Sequence, residues 1–193
     1  IAGKTVHPVV RKIAESLFQS LETENGELCR MHVNLREFEL PEGIICIGKG
    51  CFFDKRGFVS LTFPASLKRI RSNAFGNCLN LKEIRLQHAD LVIDDDAFRG
   101  CTSLKTVIIG GETYHLRGIA DAGEMPYIIR RINDQLLSDF YISGRTLMSY
   151  SGREVQVTIP EGVEIIGESC FADNDKLGRV IMSDTVRAVQ ENA

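Results

Sequence analysis

Few residues in this 193-residue chain could hold a metal or attack a substrate. The six cysteines are Cys29, Cys46, Cys51, Cys78, Cys101 and Cys170, and they form no CxxC pair. A structural zinc site needs closely spaced ligand pairs, so this is not a zinc pattern, nor is it a small disulfide framework. No two of His7, His32, His88 and His115 have metal-ligand spacing. Asp94-Asp95-Asp96 invites a calcium reading, but an EF-hand loop alternates its ligands around a central Gly and ends in Glu. Asp at this place instead fits the start of a short helical turn, where a carboxylate caps free N–H groups. A phosphate-cradling Gly-rich loop and a G-x-S-x-G nucleophile elbow are both missing. The reading is of a non-enzyme with no cofactor and no metal site.

Bulk properties narrow the classes further. The net charge is −3 with no strongly basic stretch, so there is no electrostatic footprint for nucleic acid. No apolar run approaches the roughly 20 residues that a membrane-spanning helix needs. The apolar and charged fractions, 44% and 25%, are those of an ordinary folded protein.

What positions the side chains is a repeat of 23 residues. Phe52, Phe75 and Phe98 keep that interval, as do Cys78 and Cys101. Three apolar columns share the register: Leu35, Phe58, Leu81, Leu104; Phe38, Leu61, Ile84, Val107; and Leu40, Phe63, Leu86, Ile109. Leu81-x-x-Ile84-x-Leu86 ends in the alternation of a short strand with Ile84 and Leu86 inward. A proline follows in three copies, Pro41, Pro64 and Pro160, and ends ladder donation on its side. A tight turn at Gly43, Ser66, Ala89 or Gly162 comes next. A second apolar pair such as Leu67 and Ile70 leads to a short helical turn carrying the buried Phe. One unit cannot cover its own apolar face, so the units must stack, strand beside strand and Phe above Phe. The predicted fold is a β-rich solenoid with a parallel sheet on one side of a curved rod. Cys51 and Cys170 share a column with Ala74 and Ala97, Cys78 and Cys101 lie three residues after the Phe, and these four read as small buried residues.

Two stretches leave the register. Residues 7–26 have apolar residues at helical spacing, Val9, Val10, Ile13, Leu17, Phe18 and Leu21, and Asn25-Gly26 is a stop signal. This predicts an N-terminal capping helix, or a linker helix from a preceding domain. Residues 110–153 break the period with a partly helical stretch, 112–137, and a hairpin, 140–154, turning at Ser143-Gly144. The domain boundaries read as 1–34 helix and cap, 35–109 repeats, 110–153 insert, and 154–193 repeats. The chain begins at Ile1 and stops at Ala193 where a Phe is due, so the array is expected to continue.

The segments 62–86 (TFPASLKRIRSNAFGNCLNLKEIRL), 90–109 (DLVIDDDAFRGCTSLKTVII) and 158–182 (TIPEGVEIIGESCFADNDKLGRVIM) resemble the BspA-like leucine-rich repeats. The resemblance covers residues 35–109 and 154–193 and is specific for the repeat type. It implies a right-handed leucine-rich-repeat solenoid. It also implies a cell-surface or secreted adhesion protein, with a cytoplasmic protein the alternative, and no shared catalytic residues.

In such a solenoid the outward residues of successive strands line one face. These are Glu37 and Glu39; Ser60 and Thr62; Lys82 and Arg85; Lys105 and Ile108; then Arg179 and Ile181. Acid gives way to hydroxyl, cation and apolar side chain, an open mixed surface that suits a polypeptide partner better than a small molecule. The competing readings are a structural spacer and an accessory region of an enzyme whose catalytic domain lies elsewhere.

Overall fold

The computed structural model describes residues 20–32, 35–118 and 126–193. It divides into two compact units, residues 1–104 with 108–112, and residues 105–107 with 113–193.

The Phe column organises the first unit. Phe52, Phe75 and Phe98 are fully buried and stacked, with ring centroids 4.7 and 5.1 Å apart and planes within 13° and 5°. Strands in a sheet lie about 4.8 Å apart, so one turn of the solenoid advances by one ring spacing. Phe58 and Phe63 meet this row edge-on, at 5.4 and 5.6 Å, which suits the positive ring edge against the negative face.

Each turn contributes two strands rather than one. The front sheet contains β3 (Glu37–Glu39), β5 (Ser60–Thr62), β7 (Glu83–Leu86), β9 (Thr106–Ile109) and β10 (Glu112–His115). A back sheet contains the hairpin β1 (Leu21–Glu24) and β2 (Glu27–Met31), then β4 (Cys46–Ile47), β6 (Arg69–Ile70) and β8 (Val92–Ile93). The pairing is parallel and in repeat register: Phe38 beside Leu61 beside Ile84 in front, and Ile47 beside Ile70 beside Ile93 behind. Most of the three predicted columns are buried between the two sheets. The exceptions are Leu35, 36% exposed, and Phe38 and Ile109, both half-buried.

The segment carrying each Phe is not the short helical turn expected. The Phe52 and Phe75 N–H groups donate to the carbonyls of Ala74 and Ala97 in the next turn, at 2.7 and 2.8 Å. A helix would send those donors along its own axis. The chain instead makes tight turns, with Gly50, Asn73, Asp96 and Ser169 in one column at φ of 64°, 54°, 62° and 57°. Asn, Asp and Gly tolerate this left-handed conformation best. Asp96 therefore serves a turn, and Asp94 accepts from Arg69 Nη2 at 2.7 Å rather than capping a helix.

The N-terminal prediction needs a second correction. Residues 7–19 of the expected capping helix lie outside the described residues. Residues 21–31 form an antiparallel hairpin, with Asn25 and Gly26 at φ 50° and 80° making its two-residue turn. Both positive angles are what a type I′ hairpin turn requires.

The second unit contains α1 (Tyr127–Leu136), the hairpin β11 (Phe140–Ser143) and β12 (Thr146–Tyr150), then β13 (Gln156–Thr158), β14 (Ile165–Ile166), β15 (Arg179–Ile181) and β16 (Ala188–Val189). The helix buries Ile128, Ile129, Ile132 and Leu136. Its buried Asn133 accepts from the Arg117 N–H at 2.6 Å and donates to the Gly118 carbonyl at 2.9 Å. Residues 112–115, expected to be partly helical, are strand β10. The predicted hairpin is present, with its tip at Gly144-Arg145, one residue later than read.

The two hairpins are built alike. Leu21 pairs Met31 as Phe140 pairs Tyr150, with a register shift at the same place, and each hairpin then adds parallel to the next back strand. At both junctions a glycine N–H, Gly48 or Gly167, donates to the carbonyl of Leu28 or Leu147 at 2.8 Å. A Cβ at either glycine would stand 2.8 Å from that same carbonyl oxygen.

Side chains also tie turn to turn. Ser66 Oγ accepts from the Gly43 N–H and donates to the Ile44 carbonyl, both at 2.9 Å. Thr185 repeats this with Gly162 and Val163, again at 2.9 Å.

Candidate functional site

The outward side chains of the front sheet are set by strand register. Glu37, Ser60 and Glu83 form one row across β3, β5 and β7, and Glu39, Thr62 and Arg85 form the next. Together with Phe38, Val59 and Lys82 they line a groove of about 590 Å³. Six of the residues predicted from sequence meet here: Glu37, Glu39, Ser60, Thr62, Lys82 and Arg85. Lys105, exposed just before β9, and Ile108, half-buried within β9, stand outside it. Arg179 and Ile181 lie on β15 in the second unit, where they pair with Gln156 and Thr158.

Charge is graded across the groove. Arg85 Nη2 lies 2.6 Å from Glu83 Oε1, and this half-exposed pair cancels its own charge. The exposed Glu37 and Glu39 carboxylates on β3 make no ion pair among the described residues, and Lys82 on β7 is likewise exposed. Hydroxyls of Ser60 and Thr62 separate the two ends. Phe38 was not identified from sequence because its column is inward everywhere else; only its place in the first turn opens it.

The cysteines have a structural role. Cys78 Sγ donates to the Phe52 carbonyl at 3.0 Å and Cys101 Sγ to the Phe75 carbonyl at 2.9 Å, so each thiol tethers its turn to the one before. Neither forms a disulfide. Burial pushes the Cys51 thiol up to about 12 and Cys170 up to about 11, far from the thiolate needed for nucleophilic or metal chemistry. Among the described residues no group of three or more His, Cys, Asp or Glu is placed to hold a metal ion. No described helix is long and apolar enough to cross a membrane.

A row of stacked aromatics between two parallel sheets, with one strand pair added per turn, defines a leucine-rich-repeat solenoid. The family profile of the BspA type leucine rich repeat region matches in 6 copies over residues 23–120 and 144–193. The chain belongs to that family, whose repeats are in general non-catalytic protein-interaction modules. The match extends beyond 35–109 because it takes in the first hairpin and the strands after β9. No curated protein matches the chain. Similar solved structures include a leucine-rich cell surface protein from Faecalibacterium prausnitzii, 23% identical with a TM-score of 0.41, covering 89% of this chain and 42% of that one. Another is a leucine-rich repeat protein from Bacteroides ovatus, 18% identical with a TM-score of 0.36, covering 88% and 44%. A third is the leucine-rich repeat protein of T. pallidum, 17% identical with a TM-score of 0.31, covering 84% and 77%. The chain spans less than half the length of the first two.

Proposed function

We propose that this chain is a recognition module of an adhesion type, which binds a partner protein through the outward face of β3, β5 and β7. The reading rests on one observation: side chains of three separate turns converge on a single groove of about 590 Å³ with charge graded across it. A groove of this kind offers hydroxyl, cation and carboxylate groups over an area that a folded or extended polypeptide can cover. Display at a cell surface or in a secreted protein belongs to the same proposal. The test is capture of purified extracellular-matrix proteins on a sensor surface, comparing the wild-type chain with Arg85→Glu. The substitution reverses one groove charge and leaves Glu83 unpaired, so capture should fall about tenfold or more. Equal capture by both chains rules this face out.

A further inference from the structure

β3 is the last strand of the front sheet, with β5 on one side and no strand among the described residues on the other. In a parallel ladder, alternate residues turn their backbone groups to the same side. The Arg36 carbonyl accepts from Ser60, and the Leu40 N–H donates to Thr62, so these two face β5. The N–H and carbonyl groups of Glu37 and Glu39 therefore point away from β5, to the side where no described strand pairs with them. The carboxylates of the same two residues stand on the outward face, two positions apart, which is about 6.6 Å along a strand. Below them on the inward face, Phe38 is only half-buried and Leu35 is 36% exposed.

Charge on an edge strand is a common guard against unwanted pairing. The second unit gives one comparison, in which Glu161, just past the end of the strand concerned, is bonded to residues 117–118. Strand β13 is also terminal in its sheet, and its residues at the positions of Glu37 and Glu39 are the uncharged Gln156 and Thr158. The units do share the hairpin register and the glycine junctions. The pair of carboxylates is thus particular to the first unit.

We infer that β3 is a docking edge for an extended polypeptide segment with alternating cationic and apolar side chains, which adds to the front sheet as a further strand. Its backbone completes the hydrogen bonds left by Glu37 and Glu39. Its cationic side chains fall on the outward face beside the two carboxylates, where directly opposed charges on neighbouring strands attract. Its apolar side chains cover Phe38 and Leu35. This rests on the proposed binding role of the same sheet and names the chemistry of one partner.

The experiment uses the whole chain and a fluorescein-labelled heptapeptide in which arginine alternates with valine, followed by fluorescence anisotropy. Two control peptides are run beside it, one with glutamate for arginine and one N-methylated at alternate amides so that it cannot complete the ladder. The chain variant Glu37→Gln/Glu39→Thr installs the residues the second unit already tolerates. The inference requires that the arginine peptide bind and the two controls bind at least about tenfold more weakly. The double variant must lose a similar factor, as expected from removing two cross-strand charge pairs. Equal binding of the N-methylated peptide would show charge attraction alone and overturns strand addition. Equal binding by the double variant, or no binding by the intact chain, overturns it as well. Any of these failures, with matrix-protein capture still sensitive to Arg85→Glu, leaves the groove reading standing.

Discussion

Phe75 lies at the centre of the stacked row, and its removal measures how much of the first unit depends on stacking. The ring is fully buried, sandwiched between Phe52 at 4.7 Å and Phe98 at 5.1 Å, with Phe63 edge-on at 5.6 Å. Truncating a buried Phe to Ala costs about 3–5 kcal/mol from lost transfer energy and the cavity left behind. Within that range the cost is higher where aromatic pairs, worth about 0.5–1.5 kcal/mol each, are lost as well, and three are lost here. Phe75→Ala should therefore cost about 4–5 kcal/mol, near the top of that range. A domain holds only about 5–15 kcal/mol in total, so the first unit would become marginal. The assay is urea unfolding followed by circular dichroism, with hydrogen exchange to assign the loss to residues of the first unit. The control is Phe53→Ala, one residue after Phe52, where the ring is 50% exposed; its cost should stay below about 1 kcal/mol. If Phe75→Ala cost as little as Phe53→Ala, the aromatic row would not be the core, and the account of the solenoid would fail.

Two further outcomes follow from the same geometry. Gly48→Ala should destabilise by about 1–3 kcal/mol, because the new Cβ meets the Leu28 carbonyl at 2.8 Å and backbone must move; an unchanged melting temperature would contradict this junction. Glu42 accepts from the N–H groups of Ala65 and Ser66, chiefly Ala65, which holds its carboxyl below the ordinary 4.5. A depressed value stabilises the fold above pH 4.5, and that contribution is lost as pH falls through the folded value. The melting-temperature difference between wild type and Glu42→Gln should accordingly narrow below pH 4.5, and a constant difference down to pH 3 would refute the assignment.

The sequence by itself determined the repeat. A fixed interval between like residues can be read without coordinates, because a stacked fold must place the same side chain at the same point of every turn. The buried columns and the alternation of the front strands followed from it, and so did the six residues that share the groove. The back sheet was not legible: strands of two residues, such as Cys46–Ile47, are too short to show a period. The Phe-bearing turn was misread as helical because Asn73 and Asp96 look like helix starts in sequence, while their positive φ is decided by hydrogen bonds to the neighbouring turn. At Asn25-Gly26 a helix stop and a type I′ hairpin turn use the same two residues; pairing of Leu21 with Met31 chose the hairpin. Tertiary structure alone decided which strand is left at an edge. A strand's place in a sheet depends on what pairs with it and not on what it is made of, and so Glu37 and Glu39 came to end the described front sheet only when that sheet was assembled.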